Sequence, residues 1–175
     1  TARLKDAASK LVIGDPTERT TYTGPVINAS SYKEFKDFCE EINQGGGTFL
    51  TGGNVKSGDI YDKGYFCEPT FVTDLPFTHR LWKHEMFLPI TTIGKVSNLD
   101  DAMTIANNVD YGLTAGFYGS PEETEWFFDK IEAGVTYANR PQGATTGAWP
   151  GFQPFGGWKG SGSSGKNAGG HYYLP

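Results

Sequence analysis

Helix and strand signals alternate from residue 1 to residue 139. A chain that alternates in this way folds as an α/β layer structure, helix on sheet on helix, with a largely parallel sheet. Leu4, Ala7, Ala8 and Leu11 fall on one helical stripe, which Gly14, Asp15 and Pro16 end. Ser31, with Glu34 three residues later, has the form of a capping box. The helix it would open carries Tyr32, Phe35, Phe38, Cys39 and Ile42 on one face, and Gly45, Gly46 and Gly47 stop it. Short strands are expected at Thr48–Thr51 and 69–73, with a loop or irregular hairpin between them, and a further strand rich in β-branched residues at 90–96. Asn98 caps a helix bearing Leu99, Ala102, Met103 and Ala106, and 113–118 reads as a buried strand. Ser120, Pro121 and Glu123 supply N-cap, first-turn proline and capping-box acid to a helix faced by Phe127, Phe128 and Ile131. Gly134 suits the position after that helix, and Val135–Ala138 makes the last strand.

From residue 140 the pattern changes. Glycines are frequent there, yet Trp149, Phe152, Phe155, Trp158, Tyr172 and Tyr173 are interspersed, an aromatic load that fits an ordered loop system and not a flexible linker. The division expected is therefore an alternating region, 1–139, followed by a Gly/aromatic-rich region, 140–175.

Composition narrows the function classes. A formal charge of -5 with acidic and basic residues interspersed disfavours a nucleic-acid surface. No apolar run is long enough to span a bilayer and there is no secretory apolar segment, so a cytoplasmic protein is expected, or a mitochondrial-matrix one in a eukaryote. Cys39 and Cys67 have no zinc-type spacing, and His79, His84 and His171 do not form a helical ligand pair, so no metal is expected. Gly160, Gly162 and Gly165 satisfy the dinucleotide fingerprint, and Gly160 with Gly165-Lys166 nearly spells a phosphate loop. Neither lies between a strand and a helix, so both read as loop glycines.

Three segments ask for more than packing: Gly64-Tyr65-Phe66-Cys67-Glu68-Pro69-Thr70, Glu85-Met86-Phe87-Leu88-Pro89, and Pro154-Phe155-Gly156-Gly157-Trp158-Lys159-Gly160-Ser161-Gly162. In order and spacing they resemble the C-terminal part of the aldehyde dehydrogenase catalytic domain. Gly24-Pro25-Val26-Ile27, Ala106-Asn107 with Tyr111-Gly112-Leu113-Thr114, and Gly134 with Asn139 fit the same pattern. The resemblance covers nearly the whole chain and implies that family's fold, incomplete at both ends. It also implies NAD as cofactor, with NADP left open, a small aldehyde as substrate, and a homo-oligomeric parent.

By the resemblance, Glu85 accepts hydrogen bonds from the nicotinamide-ribose hydroxyls, each charge-assisted bond contributing roughly 1.5–3 kcal/mol. Phe87 packs beside the ribose and nicotinamide. Leu88 stands where the family has glycine, which puts any unusual φ at that position in question. The tail, with Ser163-Ser164-Gly165-Lys166-Asn167 and His171-Tyr172-Tyr173-Leu174, is similar to the 1-pyrroline-5-carboxylate dehydrogenase branch, which oxidises glutamate 5-semialdehyde to glutamate in proline breakdown. In that branch the loop matching Thr146, Gly147 and Ala148 holds the substrate carboxylate on main-chain amides, and Phe155 lies against its aliphatic part.

In the family a cysteine thiolate attacks the aldehyde, hydride passes to NAD, and a glutamate-activated water releases the acid. Neither Cys39 nor Cys67 matches the nucleophile's position, so no catalytic residue is assigned in this chain, and the chain alone is expected to be inactive. The alternatives are an aldehyde dehydrogenase of other specificity and a non-catalytic binding or assembly module of the same fold.

Overall fold

The computed structural model describes residues 1–140 and 156–162, and divides at Lys95 and Val96 into two compact units.

The first unit is organised by one helix. α1 (Ala2–Ala8) buries no side chain and stops three residues short of the stripe's end at Leu11, because a seven-residue helix without a buried face has little to extend it. α2 (Ala29–Gln44) buries Phe35, Phe38, Cys39 and Ile42, with Tyr32 packed at the margin, the face expected from its spacing. Its start is not the Ser31–Glu34 box. Asn28 is the N-cap, and its side-chain oxygen accepts the Ser31 N–H at 2.8 Å. The helix ends in a Schellman turn: Gly46, at φ +85°, lets its N–H reach the Asn43 carbonyl and that of Gly47 reach Ile42.

β1 (Thr48–Thr51) pairs antiparallel with β2 (Thr70–Thr73), which pairs in parallel with β3 (Ile90–Thr92). The 52–68 connection is irregular, with a 3-10 turn at Asp59–Lys63 and a single antiparallel bridge between Val55 and Cys67. β3 is shorter than the 90–96 expected: the Ile93 N–H still reaches Val72, after which the pairing ends. Phe35, Phe38, Cys39 and Ile42 pack with Cys67, Val72, Leu75, Leu81 and Ile90 into one core. Each large apolar side chain there contributes about 1.5–3 kcal/mol by leaving water.

The second unit holds a β-α-β crossover. β5 (Thr114–Phe117) leads through α4 (Pro121–Lys130) to β6 (Val135–Ala138), which lies parallel to β5 in register from Thr114 opposite Val135 to Phe117 opposite Ala138. The capping box of α4 is complete in both directions: Ser120 Oγ accepts the Glu123 N–H and Glu123 Oε2 accepts the Ser120 N–H. Phe127 stacks on Phe117 with ring centres 5.0 Å apart and packs with Ile131 and Ala133, whereas Phe128, expected on the same face, is half exposed. α3 (Leu99–Asn107) starts on the Asn98 cap and buries no residue fully. β4 (Tyr111–Gly112) pairs antiparallel with β7 (Trp158–Lys159), a pairing without a sequence signal. The described strands thus divide evenly between parallel and antiparallel pairings, in three small sheets.

Gly134 does not terminate α4. That helix leaves its axis at Ile131, and Gly134 serves close approach instead: a Cβ there would stand 1.8 Å from the Gly156 carbonyl oxygen.

Candidate functional site

Glu85 and Phe87 lie between the 3-10 turn Arg80–Trp82 and β3, on a segment whose alternate side chains are drawn inward. Leu81 is buried, Met86 and Leu88 pack against the core, and Ile90 enters β3. Glu85 is exposed and Phe87 is 85% exposed.

A phenylalanine this bare to water gains nothing from burial, and its backbone carries strain besides: φ at Phe87 is +52°. A left-handed conformation costs a residue bearing Cβ roughly 1–2 kcal/mol. An outlier of this kind motivates a functional assignment when it presents a side chain to a ligand. The unusual φ put in question at Leu88 is absent there, and the left-handed residue of the segment is Phe87. Leu88 itself is not left-handed, and its side chain packs against the core.

Downstream, the Pro89 carbonyl accepts the Thr70 N–H at 2.8 Å and ties the segment to β2. Upstream, His79 caps the 3-10 turn through Nδ1, which accepts the Leu81 N–H. Arg80 forks onto Glu41 of α2: Nε reaches Oε1 at 2.7 Å and Nη2 bonds Oε2. The guanidinium lies 5.7 Å above the Phe38 ring, and His84 meets the same ring edge-on. Sequence reasoning missed Glu41 and Arg80. Their partnership spans 39 positions, and the only local hint is that Phe38 and Glu41 sit one helical turn apart.

The cysteines are not poised for chemistry. Both are free and sit in the same core, 8% and 2% exposed for Cys39 and Cys67. Burial pushes the Cys39 thiol up to about 11, and the neighbouring Cys67 adds to the effect. Burial likewise raises Cys67 to about 11, against a smaller opposing pull from Lys36. At neutral pH such thiols are ionised to roughly one part in ten thousand, and a thiol in this setting is inert. Cys39 was expected in packing and is found there. Cys67, expected in the loop or irregular hairpin before the second strand, is a core residue.

Thr146, Gly147, Ala148 and Phe155 lie outside the described residues, as do His171 and the Gly165-Lys166 pair. Of the glycine-rich tail, Gly156 to Gly162 is described, and it acts as a joint. Lys159 Nζ bonds the Asn107 carbonyl and the Glu132 carboxylate, while Asn107 uses its own side chain to hold the Lys130 carbonyl and the Glu132 N–H. Ser161 Oγ accepts the Gly112 N–H. Gly160 and Gly162 thus sit beside a strand pairing. A groove of about 530 Å³ in the first unit, lined by Leu50, Thr73, Asp74, Pro76, Phe77 and Lys95 among others, includes neither Glu85 nor Phe87. Among the described residues, no helix is long and apolar enough to cross a membrane.

Residues 1–174 match the model of the aldehyde dehydrogenase family. The chain is 36% identical over 173 residues to the 1-pyrroline-5-carboxylate dehydrogenase of Geobacillus sp. (strain WCH70), covering 98% of this chain and 32% of that protein. It is 39% identical over 165 residues to the enzyme of the same name from Bacillus subtilis (strain 168), covering 94% and 30%. The crystal structure of 1-pyrroline-5-carboxylate dehydrogenase from Thermus with bound NAD superposes with a TM-score of 0.83 at 33% identity, over 95% of this chain and 31% of that one. The chain spans about a third of the length of these relatives. On the match of its whole length but one residue, the chain belongs to the aldehyde dehydrogenase family.

Proposed function

We propose that these residues form the C-terminal portion of an NAD-dependent dehydrogenase that oxidises glutamate 5-semialdehyde to glutamate, and that they supply part of its cofactor and substrate surface. The observation that carries this reading is the exposure of Glu85 two residues from a strained, 85% exposed Phe87, on a segment whose Met86 and Leu88 pack against the core. A vicinal diol needs an acceptor held still, and a flat aromatic cofactor head needs a flat neighbour; the two residues fit a nicotinamide riboside in both respects. The names of the relatives, and the NAD bound to the Thermus enzyme, support the substrate and cofactor chosen here.

In that role the Glu85 carboxylate accepts the ribose hydroxyls and fixes the distance of the nicotinamide from the aldehyde carbon. Phe87 confines the ring to one pose and keeps water from one side of it. NAD, when bound, accepts the hydride. Thr146, Gly147 and Ala148 offer main-chain amides to the substrate carboxylate and Phe155 packs on its methylenes, within a 140–175 anchor region following the alternating 1–139. The nucleophilic cysteine and the water-activating glutamate come from other parts of the enzyme. We place the enzyme in the cytoplasm, as a homo-oligomer.

Two measurements test this. The isolated 175-residue chain forms no NADH from glutamate 5-semialdehyde, and measurable production would refute the division of labour. The complete enzyme turns over glutamate 5-semialdehyde far faster than a simple alkyl aldehyde. Equal turnover would instead establish a dehydrogenase of broader specificity.

A further inference from the structure

We infer that Arg80, forked onto Glu41, is a positioning residue for the Glu85–Phe87 segment; this rests on the cofactor role proposed for that segment. Downstream of Glu85 the chain is held by Met86 and Leu88 in the core and by the Pro89–Thr70 hydrogen bond. Upstream, Leu81 is buried and Trp82 packs at the margin of the core, its indole N–H donating to the Leu75 carbonyl at 3.1 Å, and the backbone of the next two residues, Lys83 and His84, is bonded to Arg80. Its carbonyl accepts both the Lys83 N–H at 2.9 Å and the His84 N–H at 3.1 Å. Its guanidinium is fixed at two oxygens of Glu41 and lies on the Phe38 ring, which His84 also touches.

One residue therefore bonds the turn that delivers Glu85 through its main chain and grips α2 through its side chain. A half-exposed ion pair of ordinary geometry contributes little, but a planar fork fixes orientation as well as distance, which a lysine ammonium does not. A carboxylate that must meet two hydroxyls at once is sensitive to displacements well under 1 Å. Glu41 thus acts on the cofactor site from the far end of a helix that contributes no group to the site itself.

The test uses the full chain and two variants, Arg80→Lys, which keeps the charge and loses the fork, and Glu41→Gln, which keeps the shape and loses the charge. Two readouts are taken by NMR. The first is the fast-timescale order of the Glu85 and Phe87 amides without ligand. The second is titration with nicotinamide mononucleotide. Both variants are expected to lower the order of these two amides selectively and to raise the dissociation constant at least about threefold, while the core amides of Phe35 and Ile42 keep their order. The reciprocal swap, Arg80→Glu with Glu41→Arg, is expected to restore part of both. Unchanged order at 85 and 87 in both variants, or a loss spread evenly through the core, overturns the positioning role. Absence of any response of these amides to the mononucleotide in the unmodified chain overturns the cofactor reading instead, and the order comparison without ligand still decides the role of Arg80.

Discussion

The side chain of Asn139 pairs with the backbone of Gly119 in both directions, its Oδ1 accepting the Gly119 N–H at 3.0 Å and its Nδ2 donating to the Gly119 carbonyl at 2.9 Å. Asn139 does this from a left-handed backbone, φ +51°, which asparagine tolerates better than most residues. It extends the β5–β6 pairing by one rung where β6 ends. The Tyr118 hydroxyl adds a bond to the Arg140 carbonyl just beyond.

Two substitutions separate the contributions of Asn139. Asn139→Gly keeps the backbone conformation and loses both side-chain bonds, at a cost of about 1 kcal/mol. Asn139→Ala also meets the left-handed penalty and costs about 2–3 kcal/mol. Urea unfolding followed by circular dichroism gives both, and equal losses would contradict the strain component.

At Phe87 the same physics has the opposite sign. Phe87→Gly relieves a left-handed aromatic that buries almost nothing, and stabilisation by about 0.5–1 kcal/mol is expected after glycine's entropic cost. Nicotinamide mononucleotide should bind more weakly to the same variant. A thermal midpoint that falls would show the ring to be structural.

The buried thiols set an alkaline limit. Both have folded-state values near 11 against an ordinary 9, so between these pH values the unfolded chain releases protons that the folded chain retains. Stability contributed by the two thiols is therefore complete below pH 9 and is lost as pH rises toward 11, at about 1.4 kcal/mol per pH unit for each. A Cys39→Ala/Cys67→Ala chain should be less stable at pH 7 and show a flatter decline from pH 9 to 11. An identical decline would place its origin elsewhere.

Core truncation gives the largest expected loss. Phe35 is fully buried on α2, and Phe35→Ala should cost about 3–5 kcal/mol by chemical denaturation. A loss under 1 kcal/mol would mean that α2 is not the organiser of the first unit.

What was legible in the sequence follows range of interaction. The α4 start was fully specified, since Ser120, Pro121 and Glu123 act on one another within one turn. For α2 the buried face was clear from its period, but Asn28 and Ser31 are both capable caps, and local chemistry does not rank them. The β4–β7 pairing was invisible, because two two-residue strands separated by more than forty positions carry no pattern. Glu85 and Phe87 were legible only through the family resemblance, since an exposed acid beside a phenylalanine has no periodicity to betray it. The departure at Leu88 put unusual backbone geometry there in question, and Leu88 is indeed not left-handed; the left-handed backbone at Phe87 had no sequence signal.

The joint in the second unit has an evolutionary reading. A Cβ on Gly112 would stand 2.2 Å from the Glu132 carbonyl oxygen, one on Gly134 would strike Gly156, and one on Gly157 would come within 2.4 Å of Ser161 Cβ. Gly112 and Gly134 are each compelled to be glycine by another stretch of chain and Gly157 by its own turn, with the Gly112 carbonyl 3.1 Å away, so changes among these stretches should be strongly epistatic. Such a knot would hold its spelling in a descendant that had lost every trace of dehydrogenase chemistry. Its glycines testify to ancestry and architecture, and a claim about turnover has to be carried by Glu85 and Phe87.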